Sequence, residues 1–265
     1  MSQVMEKIET REWLHFESHG QQLFGILHRP TSIKNPPLVV CFHGFASNKL
    51  GTARSYVSLA ETLSKGGIAT LRFDFRGSGD SEGELSQLSL NDFLEDARVV
   101  LNELPHLEGI DSQRVGFFGA SLGGAIATLV AAHYQQLKAL VLWAPVASGE
   151  LWYRDFIKEH PLAASKDPAA ALSSYRGISV HPLFKKQFGE MNAPSALSSL
   201  TQLPLLHMQS SFDKTTSLAH QEAFRRKASP ESRFIAYPGE DHFLGYTPCK
   251  SEVIQESLNW FQKYF

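Results

Sequence analysis

Cysteine is nearly missing from this chain: among 265 residues only Cys41 and Cys249 occur, far apart in sequence. One of them lies inside the apolar run Pro37 to Phe42, and the pair reads as two reduced thiols of a cytosolic protein rather than a disulfide framework. No stretch of about 18 apolar residues is present that could span a membrane. Met1 to Glu12 carries charges throughout without an apolar core, which is not the pattern of a secretory signal. An excess of one charge is lacking too. The formal net charge of -2 and pI near 6.6 give no electrostatic footprint for nucleic acid or an anionic membrane. No cluster of His, Cys, Asp and Glu has metal-ligand spacing, and internal repeats and low-complexity tracts are absent. Together these absences lead to the expectation of a cytoplasmic protein with a small-molecule partner. They leave the oligomeric state open, a homodimer included.

What is present is ordinary globular material, 43% hydrophobic and 20% charged. A chain of this length buries roughly 75% of its unfolded surface and needs no disulfide or metal to hold together. Trp13 to Phe16 and Gln22 to His28 alternate apolar and polar residues around Ser18-His19-Gly20, which predicts an opening antiparallel hairpin. Strand and helix patterns then take turns. Pro37 to Phe42 is a continuous apolar run suited to a strand covered on both faces. A helix over Arg54 to Lys65 follows, then a strand over Ile68 to Phe73. The next helix is opened by Ser89, with Asp92 at the capping-box position and Leu90, Phe93, Leu94, Ala97, Val100, Leu101 and Leu104 as its stripe. Strands over Arg114 to Phe118 and Lys138 to Trp143 come next. The rhythm stops after Pro145, and residues 147–200, rich in Pro, Ser and Ala, carry two aromatic groups: Trp152, Tyr153 and Phe156, then Phe184 and Phe188. A loop of that length needs structure or function of its own, and a partly helical inserted cap is expected. Regular units resume with a strand from Leu203 to Met208, a helix from Thr216 to Lys227, a strand from Arg233 to Tyr237 and a closing helix from Lys250 to Tyr264. The whole predicts one α/β domain, 1–265, with a mostly parallel central sheet and helices on both faces.

The chemistry centres on Gly119-Ala120-Ser121-Leu122-Gly123, placed between an apolar strand and an apolar helix. In that context a sharp turn throws the serine clear of the surface, and the positive helix end beside it favours negative charge. Gly119 and Gly123 are small because a side chain at either position would strike the neighbouring strand or helix. A serine needs a base oriented by an acid. His242 follows the last strand through Pro238 to Asp241, and Asp213 follows the preceding strand through Ser210-Ser211-Phe212. The competing role for Asp213 is a helix cap, and Asp241 ranks second as the acid. His43-Gly44-Phe45 follows the buried strand; its Phe45 N–H and that of Leu122 are the candidate oxyanion donors, with His43 bracing the loop. His28, His207 and His220 read as structural. The one strand-to-helix glycine turn is taken up by Ser121, so no cofactor is expected.

These residues, together with Arg72-Phe73-Asp74-Phe75-Arg76-Gly77-Ser78-Gly79-Asp80-Ser81, Pro204 through Asp213 and Gly239 to Phe243, resemble the α/β-hydrolases of the serine esterase and S33-peptidase-like branch, most of all the bacterial cinnamoyl and feruloyl esterases. The resemblance covers nearly the whole chain except the cap. It departs at Met208-Gln209-Ser210, where such proteins often show a His-Gly pair. It implies an α/β-hydrolase fold, Ser121, Asp213 and His242 as the catalytic triad, and cleavage of carboxylic esters through an acyl-enzyme. The Asp74 to Ser81 loop is implied to be structural. Trp152, Tyr153 and Phe156 would form an aromatic-accepting wall or anchor the cap. Peptidase and thioesterase chemistry are the alternatives within the fold, and a non-catalytic ligand-binding homologue is the alternative outside enzymes. Haloalkane dehalogenase chemistry is excluded, since it needs a carboxylate at position 121.

Overall fold

The chain is described by a computed structural model for residues 8–160, 174, 175, 177–239, 241–244 and 249–265. Met1 to Lys7, and therefore most of the segment weighed as a signal, lies outside them. The opening hairpin is β1 (Glu9–Ser18) and β2 (Gln21–Pro30), turning at His19 and Gly20, both with positive φ. Next come β3 (Pro37–Phe42), α1 (Ser55–Lys65), β4 (Ala69–Phe73), α2 (Leu90–Glu103), β5 (Asp111–Ala120), α3 (Leu122–Ala131) and β6 (Leu137–Trp143). The predicted capping box is formed: Ser89 Oγ accepts from Asp92 N, and Asp92 Oδ2 accepts from Ser89 N. The eight-stranded sheet runs β1-β2-β4-β3-β5-β6-β9-β10, with β9 (Leu205–Ser210) and β10 (Arg233–Tyr237) at its far edge. The pairs β1/β2 and β2/β4 are antiparallel and all later pairs are parallel.

Every residue of β3 is buried because helices cover both faces. Leu38, Val40 and Phe42 join the core under α2 and α3, while Val39 and Cys41 join the core under α1 and the closing helix α7 (Cys249–Tyr264). Cys41 is a free thiol whose pKa burial pushes up to about 12, so it stays protonated.

Between β6 and β9 stand α4 (Gly149–Glu159), a short hairpin of β7 (Ser174–Tyr175) and β8 (Ile178–Ser179), and α5 (Pro182–Glu190). The ends of this segment are pinned together at its base: Ala193 N donates to Ala147 O (2.8 Å), Gly149 N donates to Met191 O (3.2 Å), and Ser148 and Asn192 form a bridge. Residues 161–173 and 176 of the expected cap lie outside the described residues. Between β9 and β10 lies α6 (Leu218–Arg225), shorter than the predicted Thr216 to Lys227. Its start is delayed because Asp213 Oδ1 takes the amides of Thr215 (2.8 Å) and Thr216 (2.9 Å) and holds them in a turn. Among the described residues no helix is long and apolar enough to cross a membrane.

Candidate active site

Ser121 stands at the junction of β5 and α3 with φ 53° and ψ -123°, a backbone conformation that costs a non-glycine residue about 1–3 kcal/mol. The surroundings enforce it. Ser121 N donates to Trp143 O (3.0 Å), and its carbonyl accepts from Gly124 N and Val146 N, both at 3.0 Å. The glycines on either side are dictated by contact. A Cβ on Gly123 would lie 2.1 Å from Phe42 O and one on Gly119 2.6 Å from Gly123 O, so strand and helix close on each other only without side chains there.

The acid and base loops are stitched to one another beside this turn. Ser211 N donates to Tyr237 O (2.7 Å), Phe212 N to Gly239 O (2.9 Å) and Ser210 Oγ to Asp241 O (2.6 Å). They bring His242 between two partners: its Nδ1 donates to Asp213 Oδ2 at 2.7 Å, and its Nε2 accepts from Ser121 Oγ at 3.0 Å. The same imidazole thus joins a hydroxyl to an ionised carboxyl, the arrangement that moves a proton off serine. Burial acts to raise the Asp213 pKa, but the His242 ring and the Thr215 and Thr216 donors outweigh it and hold the carboxyl below the ordinary range. Asp213 therefore both caps the following turn and meets His242, while the Asp241 side chain accepts from Phe243 N instead (2.9 Å). Thr216, which the sequence reading did not single out, is wholly buried, and its hydroxyl donates to Asp213 Oδ2 (3.0 Å). An unremarkable Thr in a polar loop offers no sequence signal for this.

The His43-Gly44-Phe45 loop approaches Ser121 so closely that a Cβ on Gly44 would sit 3.1 Å from Ser121 Cβ. His43 is buried; its Nε2 accepts from Phe75 N (3.1 Å), which leaves the proton on Nδ1 to donate to Gly44 O (2.8 Å). Burial lowers its pKa, so it stays neutral and braces the loop. The Asp74 to Ser81 loop is tied to the same region: Asp74 pairs with Lys49 Nζ and accepts from Lys49 N (2.5 Å), and Arg76 Nε donates to Asp96 Oδ1 (2.6 Å). Lys49 and Asp96, both buried, are partners that periodicity did not disclose.

Two clefts open at Ser121. One is lined by Phe45, Leu122, Val146, Trp152, Tyr175, Val180, Phe184 and Phe188. The other holds His242 and Phe243 together with Ser47, Thr52, Ser55 and Tyr56. Of the expected wall residues, Trp152 lines the first cleft, and Phe156 stacks on it 5.1 Å away and faces an outer groove with Tyr175. Tyr153 packs on Trp152 and Phe188, with its hydroxyl near Lys185 O (3.4 Å), and is not among the described residues lining either cleft. Tyr175 and Val180 line the first cleft unpredicted, because their stretch has no periodicity to mark it. Among the described residues no group of three metal-ligating side chains occurs.

The sequence model of the family described as Serine aminopeptidase, S33 matches residues 34–174. The chain is 30% identical over 193 residues to the quorum-quenching protein AidA of Acinetobacter baumannii, covering 72% of this chain and 60% of that protein. An uncharacterized 31.7 kDa protein of Escherichia coli, from the traX-finO intergenic region, is 35% identical over 120 residues, 45% of this chain and 41% of that one. The matched stretch thus spans less than two thirds of either relative. Among solved structures, Est1E of Butyrivibrio proteoclasticus with ferulic acid bound superposes with a TM-score of 0.80 at 21% identity, covering 95% of this chain and 98% of that one.

Proposed function

This chain belongs to the serine aminopeptidase S33 family of α/β-hydrolases, and from that premise we propose that it cleaves carboxylic esters through an acyl-enzyme. The observation that carries the reading is His242, bonded at one ring nitrogen to Asp213 and at the other to Ser121. His242 takes the Ser121 proton as Oγ attacks the ester carbonyl, and Asp213 fixes the tautomer and balances the imidazolium. The carbonyl oxygen turns toward the Phe45 and Leu122 N–H groups, beside the positive end of α3. His242 then protonates the departing alcohol, and water follows the same route to release the acid.

The first cleft suits a small or aromatic acyl group of cinnamoyl or feruloyl type, since aromatic and aliphatic side chains surround it. The ferulic acid found in Est1E, a protein of the same fold, makes that class the first to try. Peptidase and thioesterase chemistry are the alternatives within the fold.

Methyl ferulate, p-nitrophenyl esters, aminoacyl amides and acyl-CoA offered to one preparation test the choice, with esters expected to lead. Ser121→Ala is expected to lower ester turnover by about 10⁴-fold or more and to abolish labelling by a fluorophosphonate probe. Near-normal turnover in that variant would end the proposal.

A further inference from the structure

The Phe45 amide belongs to the stretch 43–49, which runs from the end of β3 past Ser121, and two consecutive residues at the end of β4 take hold of that stretch at both ends. At its start Phe75 N donates to His43 Nε2 (3.1 Å). At its finish Asp74 receives Lys49 twice, the backbone amide on Oδ1 (2.5 Å) and the ammonium group on Oδ2, while Arg72 Nη1 donates to the Lys49 carbonyl (2.5 Å). Phe45 lies between the two attachments.

The stretch between them is not relaxed. Ala46, directly after Phe45, has φ 54°, in the left-handed region that a residue with a Cβ seldom enters unless its surroundings fix it. The attachment at Lys49 is built for close approach. Gly79 has φ 56°, and a Cβ there would lie 2.0 Å from Asp74 Oδ2 and 2.3 Å from its Cγ, so the carboxylate fits only over bare backbone. The Asp80 amide donates to Asp74 Oδ2 (3.0 Å), and Ser81 Oγ donates to Asp74 O (2.7 Å), which fixes the acid at both its side chain and its main chain. Asp74 is wholly buried and Lys49 nearly so. A buried ion pair adds little net stability over an apolar pair of the same size, so what this one contributes is position.

We propose that Lys49 and Asp74 are positioning residues for the reaction at Ser121: together with the Phe75 to His43 bond they hold the stretch 43–49 between two fixed points and so aim the Phe45 N–H at the oxyanion. The inference rests on the ester-hydrolase reading of Ser121, and it gives the Asp74 to Ser81 loop a part in stabilising the transition state. An oxyanion donor acts by being in place before the charge develops, and a stretch released at Lys49 keeps its donor but loses that preorganisation. The Phe45 ring is held separately, against Phe93 and Phe184, so the lining of the clefts stays as it is. The loss therefore falls on kcat rather than KM.

The test compares the wild type with Lys49→Met, and with Lys49→Met combined with Asp74→Asn so that Asp74 is not left as a lone buried charge. One aromatic ester serves as substrate, urea unfolding reports stability, and rates are referred to the Ser121 sites that a fluorophosphonate probe labels. Both variants are expected to lower kcat about tenfold or more, with KM within about twofold of the wild type. Trifluoroacetophenone supplies a second readout: Ser121 Oγ adds to its carbonyl carbon, the Oγ proton passes to His242, and the former carbonyl oxygen becomes an oxyanion facing the same donors. Its inhibition constant is expected to rise by the factor by which kcat/KM falls. An unchanged kcat and inhibition constant alongside a lowered urea midpoint would make the pair a stabilising contact and overturn the proposal, as would a loss confined to KM. Wild-type protein that cleaves no ester and takes no fluorophosphonate label would instead overturn the underlying hydrolase reading.

Discussion

Thr216 holds Asp213 from two sides, its amide on Oδ1 and its hydroxyl on Oδ2, and the hydroxyl also lies 3.4 Å from His242 Nδ1. In Thr216→Val the amide bond is kept and the hydroxyl donor is lost, so Asp213 Oδ2 loses the donor that fixes it against His242 Nδ1. The variant is expected to lower kcat about fivefold with KM little changed, while Thr216→Ser restores the wild-type kcat. A kcat that Thr216→Ser does not restore would reduce Thr216 to packing. At this scale the sequence was legible for Ser121 and His242, whose neighbours in the chain announce them. For the acid it ranked Asp213 ahead of Asp241 on strand position alone, because the direction of each side chain depends on how two loops distant in sequence are sewn together through Ser210, Ser211 and Phe212.

Among elements, one of the contacts that secure α4 is polar. Asp155 Oδ2 accepts from Ser217 N at 2.8 Å, at the start of α6, and lies 3.4 Å from His220 Nε2, while His220 Nδ1 accepts from Ala147 N (2.8 Å). Burial acts to raise the Asp155 pKa, but His220 and Ser217 overcome it and the carboxyl lies well below its ordinary range. A folded pKa below the unfolded one contributes stability above the ordinary carboxylate range near pH 4, and that contribution is lost as pH falls through the folded value. Asp155→Ala is expected to cost about 1.5–3 kcal/mol in urea unfolding at pH 7. It should also raise KM for an aromatic ester more than for an acetate ester, because α4 carries Trp152 into the apolar cleft. Equal KM changes for both would separate α4 docking from acyl binding. The strands and helices themselves were readable from periodicity, β10 to the residue, whereas the delayed start of α6 followed from Asp213 claiming two amides that helix propensity would have assigned otherwise.

For the whole molecule, burial of neutral histidines governs the response to acid. His28, His43 and His207 all have pKa values lowered by burial, His207 to about 3. The unfolded chain binds protons near pH 6.5 that the folded chain refuses, so stability falls as pH drops from 7 toward 4. His207 alone removes about 2 kcal/mol between pH 7 and pH 5. Asp96, whose pKa burial raises, offsets part of this lower in the range, where the folded state takes up its proton first. Urea midpoints are expected to fall steadily over that interval, and His207→Phe should flatten the slope. A pH-independent midpoint would contradict the neutral buried state.

Sequence by itself determined the alternation of strands and helices, the turn that presents Ser121, and the chain order of Ser121, Asp213 and His242, because hydrophobic period, glycine placement and strand ends act over a few residues. Tertiary structure alone decided that Thr216 braces Asp213, that Tyr175 and Val180 rather than Tyr153 face the apolar cleft, and that the start of α1 supplies the hydroxyls of the other cleft. Those outcomes depend on the strand order β3-β5-β6-β9-β10, which places loops scores of residues apart along one sheet edge, and no local pattern encodes their meeting.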